Sequence, residues 1–411
     1  MDGKFDTLSS LMEALGCESL PERWNEIYPD VIAEYRKRGC MYTAPSFYDE
    51  LHEKYGVLDE YLGLYKDAAL VISKSEAMSI YLLLLCRALE NREKAPVEMS
   101  GLCLPKEQKG IPLFAIDMVC ALAQASMIPY SSEKMKARGI EQDIIDLALQ
   151  LPERSIGRAT EKFGRPCYEH LSWFQLSIDC KLYRLGRLEI DVERMFVANA
   201  AVFRRCDGKV KILSDGETVH SSGRPLGTAG HYDADNSWIS HITENDEYWE
   251  GNILDEYGNV TSVTEKLYKS EWKKEIKKGD LVIGLHIPAG GGMTPEAVND
   301  TLKRGMEFVN KYYPDVEHKA FYCHSWLLDK QLCDMLGEST NIAKFGNRFH
   351  RIAYKTDARA VFDFVFGLPR NNEHDLDELP ERTSLEKGLK NLYKSGGRIY
   401  ETMGVFFFDE Q

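Results

Sequence analysis

From about Thr7 to Leu151 the apolar positions recur at the three- and four-residue steps of one helix face, and β-branched runs are scarce. Trp24, Ile27, Val31, Ile32 and Tyr35 form one such stripe, and Lys37, Arg38 and Gly39 supply its stop. A second helical stretch covers Val57 to Leu89, with a break at Val71-Ile72-Ser73. Pro112 is expected to open a further helix through Phe114, Met118 and Leu122, and Pro129 to close it. No internal repeat emerges, so this segment reads as an all-α domain.

Beyond Pro152 the period changes. A helix is expected over Tyr168 to Leu176, and Leu182 to Phe203 then alternates in the manner of paired strands. Arg205 to Trp249, rich in Gly, Asp, Ser and His, reads as hairpins and loops, and the charged Glu265 to Lys278 as a surface helix. Leu281 to Ile287 is a continuous apolar run, the pattern of a central strand covered on both faces. The turn Ala289-Gly290-Gly291-Gly292-Met293 follows it at once. Thr294 is placed as an N-cap and Pro295 as a first helical residue, so a helix should run to about Tyr312. A strand over Ala320 to Trp326 comes next, then a short helix near Gln331 to Leu336. Strand, helix, strand in that order predicts a right-handed parallel crossover. Thr383-Ser384-Leu385-Glu386 is a capping box, and Gly396-Gly397 ends its helix before a last strand, Val405 to Phe408. The expected class is α+β with an α/β-like crossover: a helical domain over residues 1–155 and a mixed-sheet domain over 156–411.

Composition narrows the function. At roughly 150 residues per domain, 411 residues allow two or three domains. With 44% hydrophobic and 28% charged residues, the chain is neither fibrous nor disordered. The 51 Lys and Arg stand against 65 Asp and Glu, a net charge of -14, the wrong sign for neutralising a nucleic-acid backbone. A small polyanion remains compatible, because local backbone N–H groups can bind it against the global charge. The start MDGKFDTL lacks the basic and apolar regions of a secretory signal, which makes the cytoplasm the expected location. The apolar run Ile80 to Cys86 is far short of the ~20 residues that span a bilayer, so no membrane partner is expected. The ten cysteines contain no close C-x-x-C pair and read as free thiols, with neither disulfides nor a metal indicated.

The candidate chemistry gathers around the glycine turn. Three successive glycines bring bare N–H groups together, and a helix start adds partial positive charge, so Gly290, Gly291, Gly292, Met293 and Thr294 are candidates for holding a phosphate. Such turns also serve merely to reverse a chain. His286 and His324 lie at the carboxyl ends of the two predicted strands, where parallel sheets bind ligands, and are candidate acid–base groups. Either is equally consistent with a core histidine bonded to a carbonyl. Cys323 adjoins His324, but neighbours on a strand point to opposite faces, so the two cannot pair. A cysteine hydrolase using Cys323 with His286 stays open as a minor reading, while Ser325 lacks a nucleophile-elbow setting. Glu189, within an apolar strand, is a candidate base if it faces the core and ordinary if it faces water. The acidic Glu373 to Glu381 reads as a solvated loop.

The strings LYRLGRLEID, LVIGLHIPAGGGMTPEAVNDTL, FYCHSWLLD, FVFG, LPERTSLEKGL and SGGRIYETMG resemble bacterial acyltransferase-domain proteins, in which a helical N-terminal domain precedes a domain of the GNAT N-acyltransferase superfamily. The resemblance covers the chain from about Tyr168 onward. It implies a mixed sheet with a splayed central parallel pair, and direct acyl transfer from acetyl-CoA or another acyl-CoA to a small acceptor such as an amine. It further implies that Leu281 to Ile287 carries the pantetheine, that Gly290 to Met293 binds the pyrophosphate, and that His286 or His324 is the base, with Glu189 behind them. The superfamily's leading Gln or Arg is absent: Ile287-Pro288-Ala289-Gly290-Gly291-Gly292 keeps the glycines alone. A ligand-binding or regulatory protein without transfer is the alternative.

Overall fold

The structure, a computed structural model, describes residues 4–18, 21, 23–91, 102, 104–167, 171–230, 234–370 and 373–410. Its two compact units are Met1–Tyr183 and Arg184–Gln411. The change of texture near residue 155 precedes that division because two further helices, Leu151–Phe163 and Leu171–Ile178, belong to the first unit. Tyr168, at the start of the expected helix over Tyr168 to Leu176, lies outside the described residues.

The first unit is built on the helix Glu76–Glu90, in which every residue from Ala77 to Cys86 is buried. Ser75 caps it by accepting from the Met78 N–H at 3.3 Å. The expected break before it falls at Ser73–Ser75, after the helix Leu62–Ile72. Gly39, at φ 72°, ends the helix Trp24–Arg38 where a side chain would be strained. Pro129 differs from expectation: it sits in the first turn of Ile128–Ala137, a position that needs no N–H, and so opens a helix instead of closing one. By length and composition Leu113–Ala137 could cross a membrane. The chain breaks at Met118 and Met127 into three short helices, and two thirds of the most apolar window is buried within the protein.

A six-stranded sheet, whose residues apart from Leu182 and Tyr183 belong to the second unit, runs in the order Leu182–Arg184, Glu189–Met195, Leu281–His286, Phe321–Ser325, Thr402–Phe406, His350–Ala353. Leu281–His286 and Phe321–Ser325 are parallel, joined by the helix Pro295–Tyr312 as the sequence predicts. Glu189–Met195 and Thr402–Phe406 flank them antiparallel. The crossover helix lies close on the sheet: a Cβ at Gly305 would come within 2.2 Å of Ile190 Cδ1. Thr301 on the same helix accepts from the Arg187 N–H at 2.9 Å and the Leu188 N–H at 3.4 Å, which pins the turn between the first two strands.

Residues between Met195 and Leu281 form a second, antiparallel sheet ordered Trp272–Lys277, Ala200–Arg205, Val210–Ser214, Tyr248–Leu254, Ile242–Glu244, with Val260–Tyr268 also paired to Tyr248–Leu254. Its inner face meets the first sheet through Phe196, Val202, Ile276, Val282, Tyr322 and Val405. The helix expected over Glu265 to Lys278 is instead the end of the strand Val260–Tyr268 and the whole of the strand Trp272–Lys277. Leu267, Trp272 and Ile276 are buried while Lys273 is exposed, so strands place the apolar groups and the charge count misleads. The capping box at Thr383 and Glu386 is present, and the last strand, Thr402–Phe406, starts three residues earlier than read.

Candidate active site

The parallel register pairs Ile283 with Phe321, Gly284 with Tyr322 and Leu285 with Cys323, then stops, although the two strands run on to His286 and Ser325. His286 and His324 therefore follow side by side just past the last pair. Because alternate residues share a face, both imidazoles lie with Tyr322 and Val282 on the side of the second sheet, and Cys323 points away. Burial pushes the Cys323 thiol up to about 12, so it is a packed thiol and not a ready nucleophile.

Next to His286 the strand Glu189–Met195 carries a bulge: Val282 opposes Arg194 but Gly284 opposes Asp191, which leaves one extra residue on that strand. His318 fixes the bulge, its Nε2 lying 2.7 Å from the Val192 carbonyl. Asp191 is turned inward, 1% exposed, and one carboxylate oxygen accepts from the Glu193 N–H at 3.1 Å. The other lies 3.9 Å from His286 Nε2. Gly284 makes room for this, since a Cβ there would stand 2.9 Å from Asp191 Cβ and 3.1 Å from Arg194 Cβ. Glu189 opposes His286 in register and is held by Arg184 at 3.5 Å.

His324 has a different setting. Its ring meets Tyr354 edge-on at 4.2 Å, and its pKa is lowered to about 4, chiefly by burial and also by the Arg194 guanidinium and His286, against the pull of Glu401. Glu401 in turn accepts from Thr356 at 2.8 Å and from Arg370 at 3.4 Å. Arg194 lies over the Tyr322 ring at 5.4 Å.

Gly290 and Gly291 take φ values of 82° and 65°, the left-handed region that favours glycine, and Gly290 to Gly292 are exposed. Met293 is buried beneath them and Ile287 is half-buried. The helix start is already occupied: Thr294 accepts from the Ala297 N–H at 3.3 Å, Pro295 has no N–H, and the Glu296 carboxylate takes its own backbone N–H. An anion here would rest on the glycine N–H groups and on Arg187. Arg187 donates to the Pro288 carbonyl at 2.9 Å and keeps a buried Nε without a partner. Burial and the neighbouring Arg184 lower its pKa.

Thus the register gathers His286, His324 and Glu189 at one end of the sheet, with the glycine turn leaving from that same end. Sequence reading missed Asp191, Arg194, Tyr354, Glu401 and Arg187. For Arg187 a signal was available in the paired arginines of LYRLGR, one two residues before Gly186 and one immediately after it. Among the described residues no cluster of three or more His, Cys, Asp or Glu could hold a metal.

Residues 182–406 match the family model described as a GNAT-like C-terminal domain. No curated protein matches the chain. Among solved structures, an acyltransferase mutant in complex with octanoyl-CoA is 17% identical, with 97% of this chain and 98% of that one covered at a TM-score of 0.61. An acyltransferase in complex with decanoyl-CoA and teicoplanin is 18% identical over the same shares, at a TM-score of 0.59. The shared fold thus extends over the helical unit as well as the sheet unit.

Proposed function

The chain belongs to the family of the GNAT-like C-terminal domain, and on that premise we propose that it is an acyl-CoA-dependent N-acyltransferase acting on a small amine-type acceptor by direct transfer in a ternary complex. The observation that carries this reading is the parallel pair whose pairing ends at Leu285 and Cys323 while both strands continue, with a histidine on each and a glycine turn at the exit. The donor fits the residues present. Gly290, Gly291, Gly292 and Met293 offer backbone N–H groups to the pyrophosphate, Thr294 orients the helix that follows, and Ile287 continues the strand along which the pantetheine lies.

The departure at Ile287-Pro288 has a spatial answer. Arg187 arrives from the neighbouring turn, bonds the Pro288 carbonyl and lies beside Gly291, which supports it as a stand-in for the arginine that the motif lacks. Structural neighbours solved with octanoyl-CoA and decanoyl-CoA support a medium-chain thioester as donor in preference to acetyl-CoA. A neighbour solved with teicoplanin supports a small-molecule acceptor. The net charge of -14 favours a cationic amine by long-range attraction.

The thioester supplies an activated acyl carbon; the protein supplies positioning and a base. His286 is the base in this reading. His324, partly buried and neutral at working pH, is too weakly basic for the task and serves as a wall of the site. Glu189, engaged by Arg184, adds negative charge beside His286. The test is release of free thiol from acetyl-, octanoyl- and decanoyl-CoA in the presence of a panel of primary amines. Amine-dependent release, greatest with the longer chains, is expected. Tight binding without release would favour the non-catalytic alternative, and neither binding nor release would overturn the assignment.

A further inference from the structure

Resting on the reading of the site as an amine acyltransferase, we propose that Glu401 determines which acceptor is taken, its carboxylate receiving a second ammonium group of a diamine whose other, neutral amine is acylated. Strand register places this carboxylate. Ser325 pairs with Thr402 and His324 with Met403, while Ala353 pairs with Thr402 from the other side. Glu401 and Tyr354 are therefore the next residues past the last pairs, at the end of the sheet where His324 stands. Alternation puts Glu401 on the face of Met403 and Val405, and Tyr354 on the face of Ile352; this is also the face of Tyr322 and so of His324. Tyr354 packs against the same cluster and meets the His324 ring at 4.2 Å. A carboxylate beside an aromatic ring is the combination that recognises an ammonium group.

The Glu401 charge is only partly answered within the protein. Thr356 donates to one carboxylate oxygen at 2.8 Å, and Arg370 reaches the other at 3.4 Å, beyond the usual range of a good hydrogen bond. The same guanidinium also holds Asp363 at 3.4 Å, so it is shared between two carboxylates. The Glu401 side chain stays 21% exposed, and its charge acts on the His324 ring against the effect of burial. The carboxylate is also well oriented, because Thr356 is fixed in turn: its hydroxyl accepts from the Ala358 N–H at 3.1 Å and its carbonyl from the Ala229 N–H at 2.7 Å. The strand of Glu401 lies two strand spacings from Leu281–His286, about 10 Å, a gap that a six-carbon diamine and the glutamate side chain bridge together. In the transfer the neutral amine attacks the acyl carbon, the C–N bond forms and its N–H proton passes to the base. The C–S bond breaks with its electron pair on sulfur, and the second ammonium stays on Glu401 unchanged.

The test compares diaminohexane, hexylamine and aminohexanoic acid as acceptors with octanoyl-CoA and the full-length protein. In the wild type kcat/KM should favour the diamine by at least about 10-fold over either competitor, with the difference in KM. Glu401→Gln should raise KM for diaminohexane about 10–100-fold, as for loss of a charge-assisted contact, with kcat for it changed less than about 2-fold. Glu401→Lys should turn the preference toward aminohexanoic acid. A merely structural role would depress all three acceptors alike and leave their ranking as it was. Equal use of the three by the wild type overturns the proposal, and this needs no variant to fold; an undiminished diamine preference in Glu401→Gln overturns it as well. If the wild type consumes no thioester with any amine, the transferase reading fails by itself. Calorimetric binding of diaminohexane that Glu401→Gln loses would then still establish the ammonium site, and no binding to the wild type would overturn it.

Discussion

Arg87 in the helical unit and Arg187 in the sheet unit are both partly buried arginines, and their surroundings are opposite. Arg87 is saturated: it bonds Glu34 at 2.6 and 2.8 Å, pairs with Glu90, and reaches the Tyr42 hydroxyl at 3.2 Å. Glu34 is correspondingly held down to about 2, and the Arg87 pKa is raised. Arg187 has one carbonyl, a like charge beside it and a buried Nε without a partner, and its pKa is lowered. A saturated cation closes a structure, whereas an unsaturated one is stabilised only when an anion arrives. The same contrast separates the ion network of the helical unit from His324, which burial holds neutral.

This contrast can be broken by exchanging the two behaviours. The largest effect is expected from His286→Ala, which should lower kcat about 10²–10⁴-fold with Kd for octanoyl-CoA unchanged by calorimetry; a matching loss of affinity would move the base elsewhere. Arg187→Met should weaken coenzyme A binding about 10–100-fold, as for loss of a charge-assisted hydrogen bond worth about 1.5–3 kcal/mol, and leave urea unfolding nearly unchanged. Arg87→Met should do the reverse, costing about 1–3 kcal/mol in urea unfolding with coenzyme A affinity intact. If both variants shift stability alone, Arg187 is another structural cation and the contrast disappears.

His324 sharpens the comparison through pH. Its pKa falls from 6.5 unfolded to about 4 folded, so between those values the unfolded chain binds the proton and the folded chain does not. Stability attributable to this group is intact above about pH 6.5 and is lost as pH falls toward 4, by about 3 kcal/mol in all. Urea unfolding from pH 7.5 to 4.5 should therefore show a steeper acid decline in wild type than in His324→Gln; parallel curves would mean an exposed imidazole. The smallest effect is expected at Cys323, where replacement by Ala should change turnover less than about 2-fold, because a thiol held up to about 12 is protonated at working pH.

Local chemistry made much of the fold legible. The apolar run of Leu281 to Ile287, the Thr294 cap and the Thr383-to-Glu386 box each act within a few residues, and the elements they predict are present. Glu265 to Lys278 failed because its lysines suggested a solvated helix, while Trp272 and Ile276 are buried on pairing with a strand more than fifty residues away in sequence. The two histidines were legible as ends of neighbouring strands. Asp191 and Arg194 were not, since a bulge shifts the face on which side chains emerge and no residue type announces one. Glu401 and Tyr354 adjoin strands that lie distant from His324 in sequence, beyond the reach of any spacing argument.

The central claim is that the glycine turn and Arg187 receive coenzyme A. Isothermal titration of the full-length protein with octanoyl-CoA, repeated with Arg187→Met, tests it most directly. The account predicts one saturable site in the wild type and an affinity at least about 10-fold weaker in the variant. No heat of binding in the wild type, or equal affinities in the two proteins, would contradict it.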